Sequence, residues 1–303
     1  MEAISVSKLH NPHQPVRSIS FPNRTNPSSQ RVEALLNHLK PHHSHPLLEA
    51  KTIQSELVLL AELYISMEEL FHSPQTQQAL LHYQDGKMVT DSLCGSVTLL
   101  EACDSARELL LILREHIQTL QSAIRRRRGD SSIENNIAAY ECFRKKSKKK
   151  ISNQFKQMKL MQKQIRVTFS VLNQENQHLT LLARVLQEAN TITISILSSV
   201  LLFISLPALG TTKGSSLISK LKSFSIEKEQ KNNINGVAAD LNSALCSLLG
   251  REKTSDSSNG EGQKALRLLE TLNVDIDGVE GGLDCIFKCL VKNRVLFLNM
   301  LAH

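Results

Sequence analysis

Between Ile151 and Leu186, eleven residues recur at spacings that alternate between four and three: Ile151, Phe155, Met158, Gln162, Ile165, Phe169, Leu172, Asn176, Leu179, Ala183 and Leu186. A mean spacing of 3.5 stays close to the helical period, so these side chains fall on one stripe of one helix. A stripe this long cannot bury itself, and the segment therefore requires other helices along its length. The pattern predicts a long amphipathic helix from a capping box at Ser131 and Glu134 through Leu186. Gln162 and Asn176 on the seam cost stability and fix register.

The same alternation recurs elsewhere. Ile53, Leu57, Leu60, Tyr64, Met67 and Phe71 predict a helix, and Ser73-Pro74 supplies an N-cap and first position for a short helix through Leu81. Asp85-Gly86 breaks it. A helix from Lys87 to Arg128 follows, irregular near Gly95 and then regular through Ala106, Leu110, Leu113, Ile117, Leu120 and Ile124, with Gly129 as its stop. Val237, Leu241, Leu245 and Leu248 form another. The last, roughly 275–301, carries Val279, Leu283, Ile286, Leu290, Asn293, Phe297 and Met300.

Only Thr191–Ser195 alternates with period two, and 12 Gly and 8 Pro in 303 residues are too few for a turn-rich sandwich. No repeat of solenoid length appears. The expected fold is all-α, a bundle of long antiparallel amphipathic helices. Residues 1–30, with Pro12, Pro15, Pro22 and Pro27, read as a disordered tail. Residues 31–303 read as a single helical bundle domain with polar loops near 40–46, 210–216 and 251–262.

The net charge of +7 is concentrated. Arg125, Arg126, Arg127, Arg128, Arg144, Lys145, Lys146, Lys148, Lys149 and Lys150 face three acids, Asp130, Glu134 and Glu141, so 125–150 carries the whole excess. Three readings are open for these ten as a contact patch. They are solvated helix ends favoured by the macrodipole, a surface for an anionic membrane or acidic protein, or a nuclear-import or nucleic-acid patch. Only Tyr140 and Phe143 are interspersed, which argues against nucleic acid.

The apolar stretch 192–209 is long enough to approach a membrane span, but its Ser and Thr residues and Pro207 suit a buried central helix better. The start, Met1 to His10, lacks an apolar signal region, and the six scattered cysteines read as buried small hydrophobes, so an intracellular, mainly cytoplasmic, location is expected. No phosphate loop, Gly-x-Ser-x-Gly or His-Glu-x-x-His is present, so no enzyme, cofactor or small-molecule substrate is expected. His42, His43 and His45 sit in a polar loop, and Cys285 with Cys289 lacks a second pair, so neither set reads as a metal site. Ser18 and Ser20 behind Arg17 are candidate phosphorylation sites controlling a docking tail.

Three separated stretches carry a resemblance. They are Arg17 through Arg24; Asp91-Ser-Leu-Cys-Gly-Ser-Val-Thr-Leu-Leu-Glu-Ala-Cys-Asp104 with Arg107-Glu-Leu-Leu110 and Ala123 through Gly129; and Gly278 through Asn299. In order and spacing the chain resembles a plant-specific family of unknown biochemical function related to the BYPASS proteins. The segment 214–221 departs from it in lacking a Trp before Ser215-Ser216-Leu217. The resemblance implies a helical plant protein linked to root and shoot development, with no catalytic residues to carry over. The resulting expectation is a non-enzymatic scaffold or adaptor working through contacts with other proteins. The alternative is a membrane-associated protein held by 192–209 and the basic segment 125–150.

Overall fold

A computed structural model of the chain describes residues 27–40, 49–81, 87–126, 130–170, 177–205, 236–249 and 258–302. Among these there are eight helices and no strand: α1 (Pro27–Leu39), α2 (Ala50–Phe71), α3 (Pro74–Leu81), α4 (Lys87–Arg126), α5 (Asp130–Ser170), α6 (Gln177–Ile204), α7 (Gly236–Leu249) and α8 (Ser258–Ala302). The fold is all-α, as the periodicity requires.

α2 contains the whole of its predicted stripe, and α3 matches its predicted bounds. The Thr76 amide donates to Ser73 Oγ at 3.4 Å, the N-cap contact that Ser73-Pro74 predicted. Three boundaries differ. Pro27–Gln30, read as tail, form the first turn of α1, with Pro in its favoured first position. The last helix, expected from about 275, starts at Ser258, so α8 takes in residues 258–262, read as loop, and 263–274, for which no helix was expected.

The third difference is larger. α5 ends at Ser170 and a separate α6 begins at Gln177, where one unbroken helix was expected. Arg144 Nη1 donates to the carbonyl of Ile204, 60 residues on. A continuous helix rising 1.5 Å per residue would hold them about 90 Å apart, so α6 folds back along α5. Phe169 to Asn176 is one heptad, which preserves the phase of the stripe whether or not the intervening residues are helical. Residues 171–176, between the two helices, lie outside the described residues.

α4 is flanked on two sides. Along α5, Gly95 lies against Ile165 and Met161, and Glu108 pairs with Lys150, which sets an antiparallel hairpin. Along α8, Arg107 meets Asp284 at 2.6 Å, Arg114 meets Asp277 at 2.5 Å and also Glu280, and Arg125 meets Glu270 at 2.8 Å, again antiparallel. Arg294 of α8 closes this ladder on the Leu93 carbonyl and Ser96 Oγ. α2 runs parallel to α8: Gln54 Nε2 donates to the Asp275 carbonyl, and the Phe71 and Phe297 rings meet edge to face, 6.1 Å between centroids.

α6 packs against all five helices that precede it. Ile192, Ile194, Ile196, Leu197, Val200, Leu201 and Ile204 are buried around its whole circumference. At about 1.5–3 kcal/mol for each fully buried aliphatic side chain, it is a principal contributor to the core. The hydroxyls of Thr191, Thr193, Ser198 and Ser199 each donate to the carbonyl four residues back. Thr193 Oγ1 donates to the Ala189 carbonyl at 2.7 Å, so the 2.9 Å contact with Tyr64 has the tyrosine as donor. Ser198 donates to the Ile194 carbonyl. By length and composition His178–Ile204 is the one described helix able to cross a membrane, but 72% of its apolar window is buried in this bundle. As far as Ser205, the stretch 192–209 is core; Leu206 to Leu209 lie outside the described residues.

The cysteine expectation is corrected. Cys103 alone is buried; Cys289 is half-buried and Cys94, Cys142, Cys246 and Cys285 are exposed, all as free thiols. Their apolar neighbours in sequence are adjacent residues, which a helix turns to different faces.

Candidate functional site

The ten cations do not form one patch. Arg127 and Arg128, like Ser18, Ser20, His42, His43 and His45, lie outside the described residues. Arg125 is in the α4–α8 ladder, and Arg126 turns back onto the Ser122 carbonyl and Oγ. Arg144 must be withdrawn from the surface set. It is 3% exposed, capping the end of α6 through the Ile204 carbonyl with its guanidinium 5.7 Å from the Tyr140 ring centroid. It stands at the seam position i−7 from Ile151, so it faces inward, and linear charge density cannot reveal that. Burial holds its basicity below the ordinary value. Lys148 is lowered too, by partial burial and by Arg144 and Lys145. Lys145 reaches Glu141 at 3.9 Å and Lys150 reaches Glu108 at 2.5 Å. Lys146 and Lys149 remain on the surface.

These lysines belong to a longer feature. From Cys142 to Gln174 the sequence contains no acid at all. On α5 the exposed positions of that stretch include Lys145, Lys146, Lys149, Lys156, Lys163 and Arg166, joined by Leu160 and Val167 at 61% and 66% exposure. Positions 146, 149, 153, 156, 160, 163 and 167 repeat the alternation of three and four, one outer stripe. Local density of charge ends at Lys150, whereas helical phase carries the face a further sixteen residues or so. The signal was in the sequence, as an absence of Asp and Glu.

Between α4 and α5 an open groove of about 490 Å³ is lined by Glu108, Ile112, His116, Cys142, Phe143 and Lys146 among others. His116 lies 5.1 Å from the Phe143 ring centroid, and burial holds its imidazole below the ordinary value, favouring the neutral, stacking form. The glutamate in the groove, Glu108, pairs with Lys150. His178 of α6 meets Thr76 Oγ1 at 2.9 Å, tying α3 to the core. Among the described residues, no group of three or more His, Cys, Asp or Glu could hold a metal ion. Cys285 is exposed, and burial pushes the Cys289 thiol up to about 11, which disfavours the thiolate a metal would need.

A second surface feature is on α8. Val291, Val295, Leu298 and Leu301 are each between 40% and 50% exposed. The first three follow the spacing of four and three beside the buried Leu290 and Phe297, and exposed Lys288 and Lys292 flank them. The core stripe of α8 is thus widened on one side by aliphatic residues that no other described helix covers.

In comparison with known proteins, the family model described as Protein BPS1 matches residues 56–300, from within α2 to the last turn of α8. No curated protein and no solved structure matches the chain.

Proposed function

We propose that this chain, which belongs to the BPS1 family, is a non-enzymatic helical scaffold or adaptor that acts in plant root and shoot development by holding another protein. The observation that carries the reading is the α8 stripe of Val291, Val295 and Leu298, an aliphatic edge with the spacing of a helix–helix seam on a helix already held by α2, α4 and α7. It falls within the Gly278–Asn299 segment that carries the resemblance. The partner that fits is an amphipathic helix, with its apolar stripe on these residues and acidic side chains toward Lys288 and Lys292.

A plant lacking the protein, supplied with either the natural chain or the double variant Val295→Ser and Leu298→Ser, tests this. Both side chains are exposed, so the variant should melt as the natural chain does. It should fail to restore root and shoot growth, and proximity labelling in root tissue should lose a defined set of neighbours. Full restoration by the variant would refute the reading.

A further inference from the structure

We propose that the outer face of α5, from Lys145 to Val167, docks on an anionic phospholipid bilayer, with Leu160 and Val167 entering the headgroup layer. Lys146, Lys149, Lys156, Lys163 and Arg166 are exposed without an ion pair among the described residues, and no acid interrupts the helix after Glu141. At 1.5 Å per residue the face is about 33 Å long. An acid-free cationic row of that length is complementary to a continuous sheet of negative headgroups.

The side chains narrow the choice of partner. The cations are mostly lysines, hydrated point charges suited to a diffuse anionic surface rather than to bidentate recognition. The aromatic rings Tyr140, Phe143 and Phe155 are buried, which leaves none of these three on the surface for bases to stack on. Leu160 and Val167 stand seven residues apart, too sparse for a helix–helix seam but placed to enter an interface shallowly. This surface is separate from the α8 stripe, so either idea can fail without the other. It also differs from anchoring by 192–209, because α6 stays in the core.

The test is flotation of the purified full chain with vesicles of phosphatidylcholine alone or mixed with phosphatidylserine. Binding is expected only to the mixed vesicles, and it should weaken as salt is raised. Changing Lys146, Lys149, Lys156 and Lys163 together to Gln should weaken it by more than about a hundredfold, at roughly fivefold per cation. The matched variant with Lys51, Lys87, Lys264 and Arg267, all exposed and off both surfaces, changed to Gln should bind as the natural chain does. The chain has no Trp, so Leu160→Trp gives a single reporter whose emission should shift to the blue on the mixed vesicles. The proposal is overturned by no binding, by equal loss in the matched variant, by an unshifted Leu160→Trp emission, or by tighter binding to duplex DNA at the same salt.

Discussion

At Gly282 the α8 backbone runs against Leu57 of α2: a Cβ there would stand 2.8 Å from Leu57 Cδ1 and 2.9 Å from its Cβ, while one at the neighbouring Gly281 would meet nothing within 4 Å. The two substitutions should therefore differ in sign. Gly281→Ala should stabilise by about 0.5–1 kcal/mol through helix propensity, and Gly282→Ala should destabilise by about 1–3 kcal/mol through overpacking; urea midpoints measure both. Glu56, buried in α2, makes a second case. Burial raises its carboxyl from 4.5 to about 7. Below pH 4.5 it is protonated in both states. Between 4.5 and 7 the unfolded chain releases the proton and the folded chain keeps it, so stability falls with rising pH by roughly 3 kcal/mol in total and then levels. Glu56→Gln should abolish that decline, which denaturation across this pH window would reveal.

Among elements, the α4–α8 ladder fixes register. Arg114→Glu would set a carboxylate against Asp277 and Glu280 and should cost about 1–2 kcal/mol. Adding Glu280→Arg should recover much of it, and a double-mutant cycle on unfolding free energies would show the coupling. The stripes of α2, α4 and α8 were legible in the sequence because burial of a helix face leaves a spacing of three and four. The reversal after Ser170 was not, because one heptad of any conformation keeps that spacing. Of the ten expected contact residues, spacing should have set Arg144 apart as inward-facing, seven residues before Ile151. The outer face of α5 was encoded equally plainly, yet it is written in helical phase and missing acids rather than in adjacent cations. The α8 stripe was harder to see, since Val291, Val295 and Leu298 lie beside core positions of the same chemistry, and only packed neighbours distinguish covered from bare.

For the molecule as a whole, Cys103 reports on the closed state. Its thiol donates to the Leu283 carbonyl at 3.6 Å across the α4–α8 interface, and burial pushes it up to about 12. With a thiol reagent at mildly alkaline pH, Cys94, Cys142, Cys246 and Cys285 should react quickly and Cys103 only at the rate of global unfolding. Mass spectrometry of the labelled peptides would separate them, and rapid labelling of Cys103 would contradict the buried interface. That interface joins residues such as Arg107 and Asp284, 177 positions apart. A nascent chain therefore extrudes α4 well before the helix that must cover it has been translated. Until the C-terminal residues clear the ribosome, the apolar flank of α4 has no mate, and a premature stop codon upstream of α8 would leave it so permanently, as a substrate for chaperones and proteolysis.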